Sequence, residues 1–309
     1  MLDRQHLALL REVDRSGSVT AAAERLNVSQ SALSHMIRKV EDRYGVKLWM
    51  KQGRGLRLTQ AGAYLLSVAQ RVLPQIEHAE RVLADFAEGR RGSLRTGMEC
   101  HPCQCWLMRL TPHYLAAWPD VDFDIRTDFR FDGIAALLGY EIDLLITPDP
   151  VAWPELLFTP VIDYELVLVV HETHPLARRD YATPPDLLDE VLITVPVGVE
   201  RLDIYTQFLV PGRCRPRQHR TAETTDLMLH LVAAGRGVAV LPDWLVREEG
   251  ANLPIRAVRL GEDGISKSIN LGIRRGEEAI DYIAGFLSLA RDTGVKAEST
   301  ADRSGRHLP

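Results

Sequence analysis

The sequence lacks any feature that would carry the chain into or across a membrane. No stretch approaches the roughly 18 uninterrupted apolar residues that a spanning helix needs. The first residues, Met1-Leu2-Asp3-Arg4-Gln5-His6, lack the apolar core of a signal peptide. We therefore expect a cytoplasmic protein with no membrane partner, in which the 4 cysteines do not form disulfides.

The chain also lacks the excess of basic residues that a uniformly nucleic-acid-binding protein carries, because its formal net charge is −5. That total hides an asymmetry. Residues 1–58 contain 11 Lys and Arg against 6 Asp and Glu, which leaves +5 there and −10 in the remainder. A basic head on an acidic body is typical of a DNA-binding domain joined to a separate sensing domain, although chance clustering would give the same totals.

Two short helices are predicted at the start of this head. Leu7, Leu10 and Val13 fall on one helical face, which Gly17 ends. A second helix covers residues 20–26, and the alanines in it allow another helix to approach closely. After a tight turn, Ser29 is placed to cap a third helix with its hydroxyl.

The third helix runs from about Gln30 to Tyr44. Its apolar residues, which predict the buried side, are Leu33, Met36, Ile37, Val40 and Tyr44. The other side is polar in its N-terminal half, where a recognition helix presents Gln to adenine and Arg to guanine in the major groove. A merely solvated face is the alternative. The candidate DNA-binding residues here are Ser29, Gln30, Ser31, Ser34, His35 and Arg38.

A wing is predicted next. Val46-Lys47-Leu48-Trp49 and Arg57-Leu58-Thr59 read as two short strands, and Gln52-Gly53-Arg54-Gly55 reads as the glycine-rich tip that joins them. Lys51 and Arg54 are suited to phosphate contacts, which set affinity and register rather than sequence preference.

These motifs closely resemble the LysR-type transcriptional regulators. The resemblance is carried without gaps by the run from Gly17 to Ser34, GSVTAAAERLNVSQSALS, and then by Leu58-Thr59-Gln60-Ala61-Gly62. One departure is Trp49-Met50-Lys51, where the family has Phe, any residue and Arg; it keeps a large ring and a base. The resemblance implies that the head is a winged helix-turn-helix that binds promoter DNA.

A long linker helix follows the head. Its apolar positions are spaced alternately four and three residues apart, at Leu65, Ala69, Val72, Ile76, Ala79, Leu83 and Phe86. This heptad spacing predicts a seam between two helices, and therefore a dimerisation helix, with packing onto its own domain as the alternative. Pro74 should kink the helix locally, and residues 89–93 should form a hinge.

The body after the hinge alternates short apolar runs with helical patterns, which predicts α/β layers with mostly parallel strands. The predicted strands are Leu94–Met98, Val121–Arg126, Leu144–Thr147, Leu166–Val170, Val191–Val195, Val238–Leu241 and Ile269–Ile273. The predicted helices are Trp106–Ala117, Gly133–Leu138, Arg201–Phe208, Thr225–Ala234 and Glu277–Ala290. The family resemblance implies an effector domain like a periplasmic binding protein, with a small ligand between two subdomains.

The predicted fold class is α+β overall, with an α-rich winged helix-turn-helix head, a linker helix and an α/β effector domain. The domain limits are 1–58 for the head, 59–89 for the linker helix and 90–296 for the effector domain. Within the last, subdomain I covers about 90–162 and 267–296, and subdomain II covers about 163–266. Residues 297–309 are small and polar, and we expect them to be disordered.

A narrower resemblance is to the LysR-type members that activate methionine biosynthesis genes in response to homocysteine. It is carried by Glu99-Cys100-His101-Pro102-Cys103, Trp118-Pro119, Asp163-Tyr164-Glu165 and Leu241-Pro242-Asp243-Trp244. The resemblance implies a regulator of methionine and sulfur amino-acid genes, with homocysteine as co-effector. The alternative is a LysR-type regulator of another pathway that responds to a different small thiol or carboxylate.

The cysteines near residue 100 have several interpretations. Cys100, His101 and Cys103 have the spacing of soft metal ligands, but the sequence assigns no fourth ligand. A catalytic thiol would need further chemistry that the sequence does not offer. The pattern favours the lining of an effector pocket, with plain packing as the other alternative. The candidate effector-binding residues are Cys100, His101, Cys103, Thr127, Pro196, Asp203, Thr224 and Thr225.

Of these, Asp203 is suited to pair with an α-amino group, and the threonines are suited either to bind a carboxylate or to cap helices. We expect no catalytic residue, no metal and no cofactor apart from the co-effector, and therefore not an enzyme. The expected partners are double-stranded promoter DNA with an interrupted dyad, a second copy or a tetramer formed through the linker helix, and RNA polymerase.

Overall fold

The computed structural model describes residues 2–52, 55–88, 90–99, 101–126 and 132–304. They form two compact units: one comprises Met1–Ser93 with Asp120–Asp122 and Ile134–Ile142, and the other comprises the remainder. Among the described residues, no helix is both long and apolar enough to cross a membrane.

The head contains the three predicted helices, and a polar side chain caps each one. They are α1 (Arg4–Ser16), α2 (Val19–Arg25) and α3 (Gln30–Tyr44). Asp3, Ser18 and Ser29 each accept a hydrogen bond from a backbone N–H of the first turn. Buried Leu9, Val13, Ala22, Ala23 and Leu33 form the core between the helices. Tyr44, expected on the buried side of α3, is 52% exposed because it lies at the last turn beside the Gly45 C-cap.

Strands β1 (Trp49–Gln52) and β2 (Gly55–Leu58) form the antiparallel hairpin of the predicted wing. Buried Glu41 anchors the entry to it, since it accepts hydrogen bonds from Leu48 N at 2.8 Å and Lys47 Nζ at 2.7 Å. Burial opposes ionisation of Glu41, but these hydrogen bonds hold the pKa of its carboxyl below the usual value. A Cβ at Gly62 would overlap the Leu48 carbonyl oxygen, which explains the glycine in this motif.

The linker helix α4 spans Gln60–Ala87, 28 residues, which is about 42 Å at the usual helical rise. Its first half packs on α1, with Leu66, Ala69 and Leu73 buried against Leu7 and Leu10. The predicted seam is therefore partly covered by the head itself at its start. At its end Leu83 and Phe86 are 66% and 57% exposed. The helix continues through Pro74.

The effector domain is built on one curled, mixed sheet. Its strands are β3 (Gly92–Met98), β4 (Val121–Arg126), β5 (Leu144–Thr147), β6 (Leu156–His171), β7 (Tyr181–Ala182), β8 (Val191–Thr194), β9 (Gln218–Thr221), β10 (Val238–Pro242), β11 (Ile255–Leu260) and β12 (Ile265–Arg274). The main order is β4-β3-β5-β12-β6-β10-β8-β9, and β11 joins β6 to β7. The helices are α5 (His101–Ala117), α6 (Gly133–Leu138), α7 (Thr225–Ala233), α8 (Asp243–Glu249) and α9 (Asp281–Ser304).

The expectation of mostly parallel strands is wrong. Strand β12 pairs antiparallel with β6 over its whole length, from Ile265↔Leu166 to Arg274↔Leu156. Strand β6 also pairs antiparallel with β10 and β11, and β12 with β5. Parallel pairs include β3 with β5, β10 with β8, β8 with β9, and β11 with β7. The reason is that β6 and β12 cross the domain. At one end of this pair β12 hydrogen-bonds to β5, and at the other end β6 hydrogen-bonds to β10 and β11.

Several elements differ from their predicted bounds. The sequence analysis missed β7, β9, β11 and α8, and β9 (QHRT) has no apolar residue by which to recognise it. In place of the expected helix over 201–208, a 3₁₀ turn at Val199–Arg201 precedes a π-helix at Ile204–Leu209. The subdomain limits stay predictions.

The C-terminal helix α9 runs into the segment that was assigned to the tail. Residues 297–304, expected to be disordered, continue this helix to Ser304. The sequence has no Pro or Gly between Val295 and Ser304 to stop it, and Ala297, Glu298 and Ala301 have high helix propensity. Residues 305–309 lie outside the described residues.

Candidate functional site

The first candidate surface is the outer face of α3. Gln30, Ser31, His35 and Arg38 are exposed there, and Ser34 is half-buried. Ser29 is committed to the helix cap, because its Oγ accepts from Ala32 N at 3.1 Å. Its hydroxyl also lies 3.0 Å from that of Ser31.

The long side chains on this face are available to a ligand. In the described part of the chain, no hydrogen bond or ion pair engages Gln30, His35 or Arg38. Lys39, which the sequence analysis did not select, is exposed beside Arg38. An amide and two guanidinium or ammonium groups without internal partners are suited to base edges and phosphates. The wing side chains of Lys51 and Arg54 lie outside the described residues.

The second candidate site is a cavity of about 440 Å³ in the effector domain, with a smaller one of about 140 Å³ beside it. The ends of strands β3, β5, β8 and β10 surround the two cavities, and Tyr164 and Leu166 of β6 contribute to the wall of the smaller one. Both are lined by Pro102, Pro148, Val195, Arg201, Leu202 and Asp203. Carboxyl ends of parallel strands are the usual place for ligands in such sheets.

Two acidic residues that line this cavity, Asp149 and Asp203, form ion pairs with the same lysine. Lys267 Nζ of β12 lies 2.5 Å from Asp149 Oδ1 and 3.1 Å from Asp203 Oδ2. The Lys267 side chain is only 12% exposed. Burial alone would lower the pKa of Lys267, but its two carboxylate partners raise it above the usual value, so the ammonium stays charged.

Tyr164 lies next to this ion-pair group, since Tyr164 and Lys267 are paired across β6 and β12. Burial, together with the negative charges of Asp203 and Asp149, raises the pKa of its phenol. The hydroxyl therefore stays protonated and can serve as a hydrogen-bond donor to a ligand in the smaller cavity.

A third acidic residue, Glu99, lines the larger cavity directly after β3. Its Oε2 accepts from Thr147 Oγ1 at 2.7 Å, and its Oε1 accepts from Gly133 N at 3.0 Å. These bonds fix the carboxylate in place. The lining holds the acidic residues Glu99, Asp149, Asp203 and Glu223 and the basic residue Arg201, so the cavity is acidic overall; Lys267 adds a second basic group beside it.

Comparison with known proteins decides the family. The model "Bacterial regulatory helix-turn-helix protein, lysR family" matches residues 4–63, and the model "LysR substrate binding domain" matches residues 87–294. The chain belongs to the LysR family of transcriptional regulators. Its relatives are named as regulators rather than enzymes, and it is a DNA-binding regulator of the same kind.

Among LysR relatives, the chain is similar to the HTH-type transcriptional regulator MetR of Salmonella typhimurium. The two are 35% identical over 309 residues, which is 100% of this chain and 93% of that protein. The regulatory domain of MetR from Neisseria meningitidis superposes with a TM-score of 0.62 at 32% identity, covering 67% of this chain and 95% of that one. Full-length CbnR in complex with its target DNA, at 21% identity and a TM-score of 0.59 over 94% of this chain and 99% of that one, shares the fold.

The structure brings three of the predicted effector residues to these two cavities. Pro196, Asp203 and Thr225 line them. Asp203 is not free, however, because it accepts from Lys267 and, at 2.6 Å, from Gln207 Nε2. Thr224 is not a lining residue: its Oγ1 caps α7 by accepting from Leu227 N at 3.3 Å.

The cysteine cluster does not behave as predicted. Cys103 is completely buried, absent from the lining of both cavities, and disulfide-bonded, so the expectation of no disulfides is wrong. It lies on the inner side of α5, near Trp106 and Leu107 in sequence, where a sulfur packs as an apolar group. Cys105 and Cys214 are free thiols. Cys100, Thr127 and the side chain of His101 lie outside the described residues.

Three charged residues in or beside the larger cavity were not predicted from the sequence. Glu99 follows directly on β3 and Asp149 lies two residues after β5, and this position at strand ends was the available signal. Lys267 carried no such signal, because its role depends on the crossing of β12 with β6. Within the described ranges, no group of three or more His, Cys, Asp or Glu is placed to hold a metal ion.

Proposed function

We propose that this LysR-family protein activates genes of methionine and sulfur amino-acid biosynthesis, with homocysteine as a co-effector bound in the effector cavity. The observation that carries the proposal is the 35% identity to MetR over the whole chain. The cavity supports it, because carboxylates and cations lie together on its walls as a zwitterionic amino acid requires.

DNA reading is assigned to α3. Its exposed Gln30 and Arg38 enter the major groove and contact base edges, while Lys51 and Arg54 of the wing contact phosphates. A head with a net charge of +5 holds DNA weakly as a single copy. We therefore assign the working form to a homodimer or homotetramer that binds an interrupted dyad.

The linker helix supplies the contact between copies. Leu83 and Phe86 are exposed apolar residues on the heptad seam of α4, and a second α4 would bury them. Effector binding then shifts the populations of the arrangements of the oligomer on DNA, and RNA polymerase is the expected target of the activated form.

The test is operator binding by the purified protein with and without L-homocysteine, across a salt series. We expect a sequence-specific complex whose affinity or DNA bend changes with homocysteine. Absence of any specific complex contradicts the regulator function. A specific complex that is indifferent to homocysteine, but responds to another thiol or carboxylate, replaces the effector and leaves the regulator function standing.

A further inference from the structure

Lys267 lies beside the cavity, where its ammonium pairs with two of the carboxylates that line it. It reaches from β12 between two carboxylates that belong to different segments of the chain: Asp149, which follows β5, and Asp203, which precedes the π-helix at Ile204–Leu209. The side chain of Asp203 is 23% exposed and that of Asp149 is 57% exposed. Both carboxylates are thus accessible from the cavity while the lysine between them is not.

We propose that Lys267 is the residue by which the cavity selects α-amino acids. The ligand's ammonium replaces Lys267 Nζ on Asp203, and Nζ, kept close by Asp149, pairs with the ligand's carboxylate. This inference rests on the proposed function, since it requires that the cavity binds an effector.

The selectivity follows from counting ion pairs. An α-amino acid gives Asp203 a new cation and Lys267 a new anion, so no buried charge loses its partner. A ligand with only a carboxylate adds a negative charge to a cavity that already contains Glu99, Asp149, Asp203 and Glu223. A ligand with only an ammonium displaces Lys267 from Asp203, and the charged Lys267 ammonium then lacks a second partner.

The same exchange carries a signal. In the described structure, Lys267 joins the segment after β5 to the segment before the π-helix through the ion pairs at 2.5 and 3.1 Å. When a zwitterion enters, this direct link is replaced by one that runs through the ligand. The distance between the segment after β5 and the segment before the π-helix therefore depends on the size of the bound molecule.

The experiment is calorimetric titration of the full-length protein with three probes: L-homocysteine, 3-sulfanylpropan-1-amine, which lacks the carboxylate, and 4-sulfanylbutanoate, which lacks the ammonium. The variants are Lys267→Met, Lys267→Arg and Asp203→Asn. Arg179→Met is the matched control, because it removes an ion pair, at 3.0 Å to Asp186, that does not line either cavity. Thermal unfolding shows that each variant is folded.

We expect wild type and Arg179→Met to bind homocysteine at least about tenfold more tightly than either analogue, the size of a lost charged hydrogen bond. Lys267→Met should remove the preference over the amine and keep the preference over the carboxylate, Asp203→Asn should do the reverse, and Lys267→Arg should restore the wild-type order. Equal weakening of all three probes by Lys267→Met, or none, overturns the inference.

Failure of the effector assignment gives a different result. If homocysteine does not bind but L-methionine, L-cysteine or L-glutamate binds with the same dependence on Lys267, the inference stands and only homocysteine is replaced. If no α-amino acid binds, the inference is wrong, while operator binding by the same preparation reports separately on the regulator function.

Discussion

Arg274 donates a hydrogen bond from Nη2 to Asp143 Oδ1 over 2.8 Å, in a part of the effector domain where both side chains are almost fully buried. Arg95 approaches the same carboxylate from β3, with Nη2 at 2.7 Å from Oδ1 and Nε at 2.8 Å from Oδ2. One carboxylate thus joins β3, the start of β5 and the end of β12. Strand β12, which carries Lys267, is held at its C-terminal end by this network.

Removing Arg274 should therefore destabilise the effector domain strongly. In Arg274→Met, Glu277 loses its hydrogen bond from Arg274 Nε at 2.7 Å, and Asp143 keeps only Arg95. Loss of one partner of a buried ion pair costs about 3–5 kcal/mol, so we expect a fall of that order in the free energy of unfolding, measured by chemical denaturation. Arg179→Met, which breaks an exposed pair, should cost less than about 1 kcal/mol. Equal effects would show that the network is not structural.

The contribution of Asp143 should depend on pH. Burial raises the pKa of this carboxyl, but Arg95 and Arg274 outweigh burial and hold the pKa below the usual value of an aspartate. A lowered folded-state pKa gives stability that is present above the unfolded-state pKa and is lost as the pH falls through the folded-state value. The difference in unfolding free energy between wild type and Asp143→Asn should be constant from about pH 5 to 7 and should shrink below about pH 4. A difference that grows on acidification would contradict the assignment.

Local patterns predicted the head well, and physical reasons explain why. Each helix starts at a residue that caps it, as at Ser29, and α1 and α3 end at glycines with positive φ, Gly17 and Gly45. These signals lie within a few residues of the helix ends that they determine. The core positions Leu7, Leu10 and Val13 follow from periodicity alone.

The effector cavity was predicted only in part, because its chemistry is assembled from distant segments. Lys267 and Asp203 are 64 positions apart, and Asp149 and Lys267 are 118 apart. No local pattern indicates such pairs. The antiparallel course of β6 and β12 was missed for the same reason, since alternation of apolar runs with helices favours parallel strands. Thr224 was predicted to bind the effector but caps α7 instead. A capping threonine and a ligand-binding threonine have the same local sequence signature.

The face of α3 should separate sequence preference from general affinity. Arg38→Ala or Gln30→Ala should lower the ratio of operator to non-operator binding, by about 1–3 kcal/mol for a bidentate base contact. Arg54→Ala should weaken both kinds of DNA alike and reduce the slope of log affinity against log salt concentration. Fluorescence anisotropy with matched and scrambled duplexes measures both quantities. The reverse pattern would show that the wing, rather than α3, reads the bases.

The last prediction concerns the seam of the linker helix. Leu83 and Phe86 are exposed near the end of a 28-residue helix whose first half is already packed on α1, so a second copy is the remaining way to bury them. A glutamate on a heptad seam places its charge in an apolar interface, where desolvation opposes association. Leu83→Glu should therefore shift the protein toward monomer in sedimentation velocity and weaken operator binding, since one head with a net charge of +5 binds alone. Val210→Glu changes an equally exposed apolar residue, 65% accessible, away from α4 and should alter neither property. An unchanged oligomer in Leu83→Glu, with dissociation in Val210→Glu, would move the interface from the linker helix to the effector domain.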